Sequence, residues 1–121
     1  MISREEAVEL LHQHIHSLNM LKHCYASEAV LRAVAKKLGK NEDEYGLAGL
    51  LHDIDVEITN ADPLKHGPFA ASILKDKITD EMLDAIVMHN EMATGKERST
   101  TFQHALAAGE TITGLITATA L

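Results

Sequence analysis

Six ionisable residues in this chain occupy positions where the surrounding sequence is building a core. His52 and Asp53 are adjacent in GLLHDIDVE, at the end of a run of small and apolar residues. His23, His66 and His89 each fall on the apolar face of a predicted helix, and Glu110 falls on or beside another. Imidazole nitrogen and carboxylate oxygen are the donor types that hold divalent cations. Consecutive helix side chains point about 100° apart, yet at a helix end both reach a point just beyond it. A lone histidine on an apolar face is ordinarily a hydrogen-bonded core residue, and a short His-Asp pair is ordinarily a helix end and its cap. Several such groups on separate inward faces would be costly to bury unpaired. A shared cation removes that cost by taking their lone pairs, and phosphate chemistry at a metal follows as the candidate activity.

Positioning these groups requires helices, and no stretch shows sustained strand alternation. Ser3 and Glu6 have the spacing of a capping box at the start of a first helix. A second helix spans about Leu18 to Leu38 and stops at Gly39, with Met20, His23, Ser27, Val30, Leu31, Val34 and Leu38 as its stripe. A third runs from an Asn41 cap through Leu47, Leu50 and Leu51 into His52. After a turn-rich loop, DIDVEITNADP, a fourth helix is expected to follow Pro63, with His66, Ala70, Ile73 and Leu74 on one side. Thr79 caps a fifth, bearing Met82, Leu83, Ile86, Val87 and His89. A sixth opens near Thr100, with Gln103 completing a capping box, and carries Phe102, Leu106, Glu110, Thr113 and Ile116. The expectation is an all-α fold, a compact bundle of about six helices around a metal centre, forming one domain over residues 1–121. The apolar ending GLITATAL lacks a C-cap. It implies either a fragment or a last helix that packs on a partner, with a homodimer the obvious case.

Composition narrows the function. Formal net charge is −7 with histidine neutral, and there is no basic run or cluster of stacking aromatics, so neither a nucleic-acid polymer nor an anionic membrane is the expected partner. Aromatics make up 3% of the chain and Trp is absent, so the core must be aliphatic. Cys24 is the single cysteine; it permits no internal disulfide and, with an acidic amphipathic N-terminus, fits a cytoplasmic location.

The words LKHCYASEAVLRAVAKKLG, AGLLHDID, LKHGPFAASIL, AIVMHN and HALAAGETITGLITATAL occur in an order that resembles the HD-domain superfamily of metal-dependent phosphohydrolases. They cover most of the chain. The resemblance implies that His23, His52, Asp53 and Glu110 hold a primary metal. It implies that His66 and His89 hold a second one, or contact phosphate where there is one. The cofactor would be one or two divalent ions, with Fe, Mn, Mg, Zn and Co all open, and the partner a small phosphorylated substrate such as a nucleotide, cyclic nucleotide or dinucleotide. Asp53 and His52 are then the catalytic candidates. The chain departs from the family at the distal position, where GET places Glu110 instead of Asp, an arm longer by one methylene.

Other polar residues have weaker claims. Asp55 and Glu57 could orient a ligand imidazole or a water. Lys65, Lys96 and Arg98 could meet a phosphate, though a solvated loop charge explains each equally well. His12, His14 and His16 read as helix surface, His104 as exposed or structural, and Cys24 as a small core residue. Two other functions stay open: a non-catalytic metal or nucleotide sensor, and a helical protein whose core histidines only form hydrogen bonds.

Overall fold

The computed structural model describes residues 1–90, 95 and 97–120, with side chains described through Thr113. Among the described residues six helices pack together: α1 Arg4–His14, α2 Leu18–Leu38, α3 Glu42–Leu51, α4 Pro68–Leu74, α5 Asp80–Met88 and α6 Thr101–Ala120. Local chemistry explains most of their ends. The Ser3 hydroxyl accepts from Glu6 N while Glu6 accepts from Ser3 N, closing the expected box. Ser17, Asn41 and Thr79 each accept the N–H three residues on, which satisfies a donor with no partner inside the helix. At α6, Gln103 N donates to the Thr100 hydroxyl and Thr100 N to the Gln103 amide. α2 ends where Gly39 turns left-handed at φ 70.

α2 and α3 form the principal contact, and α6 lies across α2 and α5. Gly49 makes the first contact close: a Cβ there would stand 2.7 Å from the Ser27 carbonyl oxygen. The core is aliphatic, as the composition required, with Leu11, Leu31, Leu50, Leu51, Ile86 and Leu106 fully buried. Each such side chain contributes roughly 1.5–3 kcal/mol relative to an exposed one. Two of the four aromatics, Tyr45 and Phe102, stack at 4.1 Å. Among the described residues no helix is long and apolar enough to cross a membrane.

Two sequence expectations need correction. The fourth helix begins at Pro68, not after Pro63, because Gly67 sits at φ 100 and Pro68 fills the first helical turn. His66 therefore lies on the turn before α4. The buried face of α2 is Cys24, Ser27, Glu28, Leu31 and Ala35, and Leu38 is half exposed. The stripe rotates because the buried Glu28 pairs with Arg4 and Arg32 and so takes an inward place that its charge alone would not allow.

Candidate metal centre

His52 is the first residue past α3, still in helical backbone geometry, and Asp53 follows it into the turn. The Asp53 carboxylate stands at the centre of four imidazoles. Its Oδ2 is 3.1 Å from His23 Nε2 and 3.2 Å from His52 Nε2. Its Oδ1 is 3.0 Å from His66 Nε2 and 3.5 Å from His89 Nε2. His23 comes from the first half of α2, His66 from the turn before α4, and His89 from the residue capping α5. Glu110 comes from the middle of α6.

Donor atoms of His23, His52, Asp53 and Glu110 all lie within 4.8 Å of one another, and so do those of Asp53, His66 and His89. The six residues singled out in the sequence thus form two groups that share Asp53, one on each carboxylate oxygen.

Proton positions decide what such a cluster can do. His52 Nδ1 lies 2.7 Å from the Gly49 carbonyl, and His89 Nδ1 contacts the Ile86 carbonyl. His66 Nδ1 lies 2.6 Å from Asp55 Oδ1. Carbonyls and carboxylates only accept, so each of these rings donates from Nδ1. In the neutral rings the lone pairs are then on Nε2, and all three Nε2 atoms face Asp53. His66 Nε2 and His89 Nε2 are also 3.1 Å apart. His52 Nε2 is fully buried and makes no well-aligned hydrogen bond, its 3.2 Å approach to Asp53 notwithstanding. Lone pairs converging on a carboxylate repel unless a positive charge stands between them. The donor set therefore fits divalent cations, and its second contacts through Nδ1 are those that orient metal-binding histidines.

In the metal-free chain, protons answer the same field. Burial favours a neutral His52, but the Asp53 charge and the Gly49 carbonyl outweigh it and raise its pKa. Burial likewise opposes charge on His66, yet Asp53 and Asp55 push it up to about 10. Asp53 gains from these rings: burial works to raise its pKa, while His52, His23 and His66 hold it well below the usual carboxylate range.

Asp55 contacts His66 Nδ1 through Oδ1. Glu57 does not reach the cluster; its carboxylate accepts the N–H groups of His16 and Ser17 ahead of α2. Arg98 donates to the Met88 and His89 carbonyls, which fastens the segment carrying His89. Lys65 is exposed beside His66, and Lys96 lies outside the described residues. His12 pairs with the Tyr25 hydroxyl, and His14 bonds the Leu10 carbonyl. Cys24 is buried, and burial with the Asp53 and Glu57 charges pushes its thiol up to about 12, which leaves it protonated and inert.

Sequence reading missed Asn90, whose amide donates to the Pro63 and His66 carbonyls at 2.7 Å each and ties the His66 turn to the His89 segment. Its one signal was its place directly after His89.

The model of the HD domain family matches residues 20–119, and the chain belongs to that family. Its members are typically metal-dependent phosphohydrolases, and the His/Asp cluster is consistent with a divalent metal site. No curated protein and no solved structure gives a significant match.

Proposed function

We propose that this protein is a metal-dependent phosphohydrolase acting on a small phosphoester, of the nucleotide, cyclic nucleotide or dinucleotide class. The observation that carries the reading is the inward convergence of Nε2 lone pairs on Asp53, with their protons held on the far side of each ring. His23, His52, Asp53 and Glu110 would hold one cation, and Asp53, His66 and His89 a second. Such ions, when bound, lower the pKa of water to near neutrality and offset phosphoryl charge.

The chain's own residues supply the rest. Asp53, common to both donor groups, would help hold either cation and orient the attacking water. His52, with no exposed surface, closes the inner wall of the site. His66 and His89, which like His23 are partly accessible, would complete the second cation position or meet the substrate phosphate. Lys65, Lys96 and Arg98 are candidate phosphate contacts, Arg98 being already engaged with backbone carbonyls. A homodimer through the C-terminal helix remains part of the proposal, as do a cytoplasmic location and the absence of a nucleic-acid polymer or membrane partner.

The test is metal analysis of the purified chain together with turnover on a panel of phosphoesters. Bound metal with metal-dependent release of phosphate or nucleotide is expected. Bound metal without turnover on any member would replace the enzyme by a sensor, and a chain that binds no divalent ion would end both readings.

A further inference from the structure

Asp55 is a buried carboxylate that touches the cluster without facing either cation position. It is 0% exposed and sits two residues past Asp53 in the turn after α3. Its oxygens have different partners. Oδ1 meets His66 Nδ1 at 2.6 Å. Oδ2 accepts the N–H of Gly67 at 2.7 Å and of Ala70 at 2.9 Å, at the start of α4. Three donors thus offset the cost of taking this carboxylate out of water. An ionised carboxylate cannot donate, so the proton between Asp55 and His66 belongs to Nδ1. The atom left to face Asp53 and His89 is His66 Nε2.

We infer that Asp55 is a positioning residue: it keeps the His66 proton on Nδ1 and anchors the Gly67 turn, and so makes His66 Nε2 the donor offered to a divalent cation between Asp53, His66 and His89. The inference rests on the metal reading above. Of the three cluster rings with a defined Nδ1 partner, His52 and His89 are held by backbone carbonyls, which no substitution of the accepting residue removes. His66 is held by a side chain, so its orientation is the one a single substitution can reverse. The turn itself is built for this contact. Gly67 adopts φ 100, a conformation strained for any residue with a Cβ, and this places its N–H on Asp55 Oδ2.

Asp55→Asn provides the test because it keeps the shape and inverts one contact. The amide oxygen still accepts from Gly67 and Ala70, while the amide NH2 faces His66 Nδ1 and drives the ring proton to Nε2. With zinc alone as the probe, the wild type is expected to take up two equivalents. D55N should keep the first and bind the second about 10- to 100-fold more weakly, as for other residues that orient a ligand. Its circular dichroism should match the wild type. In the metal-free chain, proton–nitrogen correlation spectra should show a downfield, exchange-protected Nδ1 proton on His66 that disappears in D55N.

A wild-type spectrum without that proton overturns the role of Asp55, and it decides the matter even if D55N does not fold. So does a D55N chain that binds both equivalents with wild-type affinity. A wild type that shows the proton but takes up no zinc overturns the underlying metal reading instead.

Discussion

Two buried carboxylates in this protein have opposite kinds of partner. Glu28, on α2, accepts from Arg4 Nε and Nη2 at 2.8 Å each and from Arg32 Nε and Nη2 at 3.1 Å. Asp53, at the end of α3, is surrounded by four imidazoles. Guanidinium is always charged and only donates, so the Glu28 cluster closes on itself. The Arg heads stay partly in water, at 53% and 27% exposure, which spares the chain most of the cost of burying three charges. An imidazole carries a charge only when it gains a proton, and three of the rings around Asp53 have their neutral proton committed elsewhere. That cluster is completed by something from outside, a proton or a metal ion. The two carboxylates thus differ in whether their partners bring their own charge.

The sharpest way to break the contrast is to neutralise each carboxylate. Asp53→Asn should remove metal loading at both positions and reduce metal-dependent turnover to background, while far-UV circular dichroism stays near wild type. The reason is that Asp53 is the one residue common to both donor groups. Full activity in this variant would exclude its role.

Glu28→Gln should do the reverse. It should cost about 1–3 kcal/mol of stability by leaving donors of a buried network without their acceptor, and leave metal stoichiometry intact. The pH dependence has a definite sign. Burial works to raise the Glu28 pKa, but the Arg4 and Arg32 hydrogen bonds and charges hold it below its ordinary value. A depressed folded pKa contributes stability that is present above the unfolded value, near 4.5, and lost as pH falls through the folded one. The gap between wild type and E28Q should therefore be widest above about pH 5 and shrink in acid. Denaturant melts across that range measure it; a gap constant with pH would show that Glu28 is not held as an anion by its arginines.

What could be read from the sequence divides along the same line. Helix ends were legible because a cap is a local event: Ser3 with Glu6, Asn41, Thr79, and Thr100 with Gln103 each act within three residues. The six cluster residues were legible as ionisable types set among apolar residues, and their order supplied the family. Glu28 was not legible, since its bidentate partner Arg4 is 24 residues away and its neighbour Arg32 reads as an ordinary surface pair one helical turn on. The start of α4 was misread because a proline at 63 resembles the one at 68, and only the backbone of Gly67 distinguishes them. The ring protons were beyond reach altogether, because backbone carbonyls, which every residue has, fix two of them.

The seam between the two clusters is Gly49, whose absent side chain admits the backbone of Ser27 and Glu28. Gly49→Ala should cost roughly 1–3 kcal/mol through overpacking, offset by about 1 kcal/mol of helix propensity. The shift of α2 against α3 should also weaken metal binding, because His23 and His52 face each other across that contact with ring centres 5.5 Å apart. Calorimetry with and without zinc separates the two effects. A variant that loses stability with unchanged metal affinity would show that the α2–α3 spacing does not set the site.

The smallest effect is expected at Glu110, where the longer arm of glutamate stands at the position for which the family resemblance implies an aspartate. Glu110 is half-buried on α6, and its carboxylate reaches the group formed by His23, His52 and Asp53. Glu110→Asp keeps the charge and shortens the reach by one methylene. If the backbone of α6 stands where the family's aspartate would also coordinate, occupancy should hold or rise, and zinc titration should show the first equivalent bound at least as tightly. A clear loss would mean that α6 sits farther from the cluster here, and that the methylene spans the difference. Either result locates the last helix relative to the cation, which a charge-removing change such as Glu110→Gln cannot do, because that variant loses the ligand and the distance together.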